Sequence, residues 1–136
     1  MTRGLRPLGG AVAMAIALWP AASSALQGSS LKGLESGEWE LRERGAEADP
    51  SGVRKLCLAD LRQLIQVRHP RNVCKGITVD EGPKRLSVSY DCGRAGGGRT
   101  DLRVETPRLV QIRSQGVADG APFAFVMEGR RLGACR

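Results

Sequence analysis

Four cysteines limit the folds open to this chain more than any other feature of its sequence. Cys57, Cys74, Cys92 and Cys135 are separated by 16, 17 and 42 residues. Structural zinc sites draw their ligands from close pairs of cysteines or histidines, which this spacing lacks. An even number of well-separated cysteines is typical of disulfides in an exported protein. The sequence therefore predicts a small domain stabilised by two disulfides.

The pairing of these cysteines follows from their predicted positions on strands. Cys74 opens one predicted strand and Cys92 closes the next, so both fall at the same end of a hairpin. We therefore prefer Cys74 with Cys92 and Cys57 with Cys135. The alternative joins Cys57 to Cys74 and Cys92 to Cys135. In the chain-entropy model, each such bridge contributes about 3–4 kcal/mol to the free energy of unfolding.

The first 25 residues have the pattern of an export signal. Arg3 and Arg6 precede an apolar run of twelve residues, Leu8 to Trp19, and small residues then lead to Ala25. A helix of that length spans about 18 Å, short of the roughly 30 Å hydrocarbon core of a membrane. The run has no polar face, which argues against a buried helix. We expect cleavage near Ala25, and a periplasmic or secreted location.

The mature chain predicted by this cleavage has 111 residues, and its formal charge falls from +7 to +5. Residues 26–36 are rich in Gly and Ser and are predicted to be a flexible lead-in. Residues 37–136 then form a single disulfide-bonded, β-rich domain. No cysteine follows the apolar run directly, so a lipid-anchored precursor is not expected.

Alternating apolar and polar residues predict a mainly antiparallel, curved β-sheet of α+β class. The clearest strand places Leu86, Val88 and Tyr90 on one face. Pro107 cannot donate to a sheet ladder, so it marks a bulge or an edge position within one strand. The predicted strands number about six and cover 37–44, 53–59, 77–79, 86–90, 102–112 and 123–127. One short helix is predicted after Asp60 and ends at Pro70.

Candidate catalytic groups are few. His69 is the one histidine of the chain and is expected to be exposed at the end of the short helix. Carboxylates at Asp91 and Glu105 are the best remaining groups for a hydrolase, but strand parity points Asp91 toward solvent. No serine elbow or phosphate-binding loop accompanies them. The sequence therefore predicts no enzyme, no metal site and no cofactor.

Arginine dominates the positive charge, with 15 arginines and four lysines after residue 25. Arg103 and Arg113 alternate with apolar residues along the predicted strand, so both should lie on the exposed face of the sheet. The guanidinium group of arginine can donate two hydrogen bonds to the oxygens of a phosphate or a carboxylate. Weak contact with anionic envelope polymers is therefore expected. No aromatic residues accompany these arginines to stack bases, which disfavours specific nucleic-acid binding.

Several motifs give the chain a family resemblance. The order of these motifs is Gly37-x-Trp39-Glu40, Cys57-Leu58, Tyr90-Asp91-Cys92 and a terminal segment from Gly129 to Cys135. The chain resembles the secreted bacterial family called domain of unknown function 3617. Many members have a Cys-Leu-Thr segment, whereas Ala59 follows Leu58 here. The resemblance implies an exported, disulfide-bonded domain, and it implies no activity and no catalytic residues.

These observations favour a non-enzymatic binding or interaction domain without a membrane span. Its partner is either a small apolar ligand or a protein. A ligand would occupy a space among four aromatic side chains. If these side chains instead form a filled core, a partner on the surface is favoured. These side chains are Trp39, Tyr90, Phe123 and Phe125. The alternatives are an envelope-directed hydrolase and a purely structural or stress-related envelope protein.

Mass spectrometry of the protein recovered from the periplasm checks the predicted processing. The intact mass without reductant should correspond to a chain that starts near Leu26 and is about 4 Da lighter than its reduced form, since each disulfide removes two hydrogens. A mass that includes residues 1–25, or free thiols in the oxidised sample, would contradict the export interpretation.

Overall fold

The computed structural model describes residues 29–45 and 52–136. The predicted signal segment, 1–25, and its cleavage site lie outside the described residues. Within the described part, the chain forms one sheet of seven strands, in which every pair of neighbours is antiparallel and the strand order is β2-β1-β7-β6-β5-β4-β3. The strands are β1 Gly37–Arg44, β2 Val53–Leu58, β3 Lys75–Gly82, β4 Arg85–Asp91, β5 Gly96–Thr106, β6 Leu109–Ala118 and β7 Ala121–Gly133.

The prediction of a mainly antiparallel sheet with a short helix and two disulfides is confirmed, but the count of about six strands is wrong. The difference arises at Pro107. Residues 102–112 were expected to form one strand through this proline, whereas Pro107 and Arg108 form a tight turn between β5 and β6. The two arms then pair, with Val104 opposite Val110 and Leu102 opposite Ile112. Apolar residues alternate in the same way along the two arms of a hairpin as along one continuous strand. The alternation therefore could not distinguish a hairpin from a strand.

The segment before β1 packs against the sheet over the residues that the structure describes. Ser29–Lys32 form a short α-helix, α1, and Leu31 and Leu34 are buried in the core. Farther along, Glu35 donates its backbone N–H to the carbonyl of Pro107 and accepts the Nε1–H of Trp39 on its own carbonyl. Residues 26–28 of the predicted lead-in lie outside the described residues, and these contacts belong to the rest of it.

One face of the sheet carries the core, and we call it the core face. Alternate residues of β4 are buried, namely Leu86, Val88 and Tyr90, and the same alternation runs through β5 and β6. Trp39 is fully buried on β1. Gly129 on β7 lies opposite Leu41, and a Cβ atom there would lie 2.9 Å from a Val110 methyl group and 3.0 Å from Leu41. Both separations are shorter than ordinary van der Waals contact, so the absence of a side chain allows Leu41 and Val110 to pack closely against β7.

The connection between β2 and β3 covers the core face, and we call residues 59–74 the crossing segment. It begins with a 3₁₀ helix, Leu61–Leu64, whose N-cap Asp60 accepts a hydrogen bond from the backbone N–H of Arg62. The longer helix predicted up to Pro70 does not form. Leu64, Ile65, Val67 and His69 are all buried, which is more than one helical stripe could bury over six residues.

Two disulfides fix the ends of the crossing segment. Cys57, near the end of β2, is bonded to Cys135, and Cys74, just before β3, is bonded to Cys92. This is the pairing preferred from the sequence, and neither of the alternative bridges is formed. Together, the bonds attach the crossing segment to the chain end beyond β7 and to the end of β4.

The two disulfides should differ in their contribution to stability because they close loops of different length. The Cys57–Cys135 bridge spans 78 residues and the Cys74–Cys92 bridge spans 18. Replacing both partners by alanine should lower the free energy of unfolding by about 4–5 kcal/mol for the first bridge and about 3 kcal/mol for the second. Urea unfolding of the two double variants measures this order. Equal losses, or the reverse order, would contradict the prediction.

Candidate functional site

The four aromatic residues singled out from the sequence belong to the core or pack against it. Trp39, Tyr90 and Phe125 are buried, and Phe123 packs against them from a partly buried position. Phe123 and Phe125 stack with ring centroids 5.8 Å apart. The crossing segment, residues 59–74, contacts three of these rings: His69 meets Tyr90 and Phe123, and Arg68 lies over Phe123 and Phe125.

His69 is the clearest correction to the sequence-based expectations. It was expected on the surface, but only 2% of it is exposed. Its Nε2 atom lies 3.0 Å from the carbonyl oxygen of Ala95, and its Nδ1 atom lies 3.3 Å from the hydroxyl of Tyr90. The ring also meets Tyr90 and Phe123 edge-on, at 5.5 and 6.1 Å between centroids. Both ring nitrogens have partners, which makes burial of this polar side chain tolerable.

A buried hydroxyl pair attaches the crossing segment to the centre of the sheet. Thr100 on β5 donates a hydrogen bond of 2.5 Å to the carbonyl oxygen of Ile65, and its oxygen lies 2.7 Å from the hydroxyl of Ser114 on β6. Both hydroxyls are almost inaccessible to solvent. Burial raises the pKa of the nearby Tyr90 hydroxyl, and a hydrogen bond with Ser114 opposes that shift. A buried carbonyl of the crossing segment is therefore satisfied by a side chain of the core face.

The residues considered for hydrolysis have separate partners. Asp91 is exposed and accepts the backbone N–H of Gly93 at 2.8 Å, while Glu105 forms an ion pair of 2.7 Å with Arg103. His69 is engaged with Tyr90 and Ala95, as described above. Across residues 29–45 and 52–136, no group of three or more His, Cys, Asp or Glu side chains could hold a metal ion. The described structure therefore does not assemble these three groups into a catalytic site.

A half-open cavity of about 330 Å³ lies where the crossing segment meets strands β1 and β2. We call it the edge cavity, because β2 is an edge strand of the sheet. Its walls are mostly apolar, with two positive side chains and an amide at its border. The lining residues are Leu41, Arg54, Lys55, Leu56, Gln63, Val67 and Pro70.

Arg54 is one of the two positive residues that line the edge cavity. It lies opposite Leu41 in the β1–β2 ladder, so its side chain starts from the core side of the sheet. Partial burial lowers the pKa of its guanidinium, the neighbouring Arg68 lowers it further, and Glu43 acts in the opposite direction. Arg68 in turn lies over the rings of Phe123 and Phe125, with its guanidinium carbon 6.0 and 5.6 Å from the centroids. Two positive groups therefore repel each other beside an apolar wall.

Two further concave regions have a different character. One, of about 310 Å³, lies beside the 3₁₀ helix and is bordered by Asp60, where hydrogen bonding to Arg62 lowers the pKa of the carboxyl group. The other, of about 470 Å³, lies on the outer face of the sheet and includes Arg103 and Arg113, both exposed as the sequence predicted. Asp101 lies among these arginines and accepts a hydrogen bond from Ser87.

The edge formed by β3 carries exposed apolar side chains. Ile77 is 73% exposed and Val79 51%, and Val73, which precedes the strand, is 98% exposed. Within the described part of the chain, β3 pairs with β4 alone. A bulge between Thr78 and Asp80 interrupts its ladder, a feature that commonly protects sheet edges from unwanted pairing.

No family model, no curated protein and no solved structure matches the chain. The resemblance to domain of unknown function 3617 therefore stays a prediction. Over the ranges that the structure describes, no helix has the length and apolar character needed to cross a membrane.

Sequence reasoning missed the edge cavity, although part of the signal was present. Alternation along β2 places Arg54, Leu56 and Leu58 on one side, so an arginine occupies a position of the apolar series. The contribution of Val67 could not be seen, because it depends on the irregular path of the crossing segment after the 3₁₀ helix.

Replacing Thr100 tests the attachment of the crossing segment to the sheet. Thr100→Val keeps the shape of the side chain but leaves the buried carbonyl of Ile65 without its donor, so the free energy of unfolding should fall by about 1–3 kcal/mol. Thr78→Val, on the exposed strand β3, is the matched control and should change it by no more than about 0.5 kcal/mol. Equal effects of the two substitutions in urea unfolding would show that the buried hydroxyl has no special role.

Proposed function

We propose that this chain is an exported, non-enzymatic binding domain that holds a small apolar ligand in the edge cavity. The observation that carries the proposal is the cavity itself, about 330 Å³ in volume and lined by Leu41, Leu56 and Val67. This volume falls in the range of known small-molecule sites, about 300–1,000 Å³. The walls come from a disulfide-anchored segment and two paired strands, so the site is largely preformed.

Export is part of the proposal and has two supports. The first is the basic, apolar and small-residue order of residues 1–25. The second is the presence of two disulfides, which persist in oxidising compartments such as the periplasm. The resemblance to a secreted family points in the same direction.

The non-enzymatic character of the proposed domain is supported by how the candidate catalytic groups are used. His69 is held inside the core, Asp91 caps a turn, and Glu105 is in an exposed ion pair. Proton transfer requires an acid or a base within hydrogen-bond reach of a substrate. These three groups have structural partners instead.

A neutral apolar fluorophore, N-phenyl-1-naphthylamine, tests the site. The oxidised chain should bind it with increased fluorescence, and Leu56→Phe should weaken binding at least tenfold because the larger ring fills the cavity. Val117→Phe adds the same ring at an exposed position on β6 and should leave the affinity unchanged. Thermal unfolding of each variant shows that the fold is retained. Absence of binding, or equal binding by Leu56→Phe and the wild type, would overturn the proposal.

A second candidate function is favoured by the exposed apolar residues of β3. Ile77 lies on the part of this edge strand that precedes the bulge, and this part could accept a short added strand from a protein partner through main-chain hydrogen bonds. A protein partner is also what a filled core would favour. Failure of the fluorophore experiment would therefore make this edge the preferred site.

A further inference from the structure

The edge cavity combines an apolar wall with positive charge, and the two occupy different parts of it. The apolar part is formed by Leu41, Leu56 and Val67. The positive part is formed by Arg54 and Lys55, which line the cavity, and Arg68 lies close enough to Arg54 to act on it electrostatically. A ligand that uses both parts must itself be amphiphilic.

The arrangement of the positive groups selects the sign of the ligand charge. Arg54 lines the cavity together with Lys55, and Arg68 acts on Arg54 as a like charge while Glu43 acts on it as an opposite one. A cation would add to the repulsion and a neutral group would leave it in place. An anion bound by the guanidinium groups would reduce the repulsion between them. A carboxylate suits this role because it can accept two hydrogen bonds from one guanidinium.

The aromatic support of Arg68 strengthens this interpretation. Its guanidinium lies over the rings of Phe123 and Phe125, which orients it without neutralising its charge. By contrast, arginines of the outer face such as Arg42 and Arg103 are paired with carboxylates on their own strands. Arg68 therefore presents an oriented positive charge near an apolar cavity.

Resting on the proposed function, we infer that the ligand is a single-chain anionic amphiphile of the fatty carboxylate class. Its hydrocarbon chain lies against Leu41, Leu56 and Val67, and its carboxylate is bound by Arg54 with Arg68 nearby. A free inorganic anion would not use the apolar wall, and a purely apolar molecule would not use the arginines.

Three twelve-carbon probes that differ in their head group test the inference. Dodecanoate, dodecanol and dodecyltrimethylammonium are each used, below micellar concentrations, to displace N-phenyl-1-naphthylamine from the oxidised protein. Dodecanoate should displace it at a concentration at least tenfold lower than dodecanol, and the cation should be the weakest. Decanoate should be about fifteenfold weaker than dodecanoate if both additional methylenes enter the cavity, since each contributes about fourfold.

Two arginine variants separate a local contact from general charge. Arg54→Gln should weaken dodecanoate binding at least tenfold, the effect of losing a charged hydrogen bond, and should weaken dodecanol binding much less. Arg113→Gln removes the same charge from the outer face and should leave both affinities unchanged. Thermal unfolding again verifies the fold of each variant.

The outcomes distinguish failure of the inference from failure of the proposed function. Equal affinity for dodecanoate and dodecanol, with both lost in Leu56→Phe, would overturn the anionic ligand and leave the apolar site standing. Equal losses in Arg54→Gln and Arg113→Gln would also overturn it, because the effect would then be one of overall charge. If none of the probes binds, the proposed function fails as well.

Discussion

The hydrogen bond from Thr100 to the carbonyl of Ile65 is the contact on which the arrangement of the core depends. A sheet with one apolar face needs a cover, and here the cover is an irregular segment rather than a packed helix. Irregular backbone has carbonyls that no ladder satisfies, and burying one without a partner is costly. Thr100, paired with Ser114, supplies the donor at the centre of the sheet. The ring of His69 adds a second polar contact, to Ala95.

The two disulfides add a covalent attachment of the crossing segment to the one that these hydrogen bonds provide. A segment held at its middle by polar contacts could still fray from its ends, and both ends are adjacent to a cysteine. Cys57 and Cys74 tie them to parts of the chain remote in sequence, which reduces the entropy of the unfolded state. The cover is thus fixed at three places, and the edge cavity that it borders is correspondingly well defined.

How far the sequence could predict this structure depended on whether the signal was local. The alternation of Leu86, Val88 and Tyr90 marks β4 directly, and the hairpin geometry of Cys74 and Cys92 follows from it. Pro107 was read as a bulge because a turn and a bulge leave the same parity on either side. His69 was placed on the surface because its partners, Tyr90 and Ala95, are 21 and 26 residues away. No pattern within the segment itself reports contacts over that distance.

The position of Arg54 links the fold to the proposed function. It lies in the apolar series of β2, opposite the buried Leu41, where an aliphatic side chain would extend the core. The structure places a positive group there instead, close to a second arginine that repels it. Stability alone does not call for this choice, because partial desolvation and Arg68 both oppose the charge and only Glu43 favours it. Departures of this kind from an otherwise consistent pattern are expected where a protein binds something, since a ligand of opposite charge offsets the cost that the free protein bears.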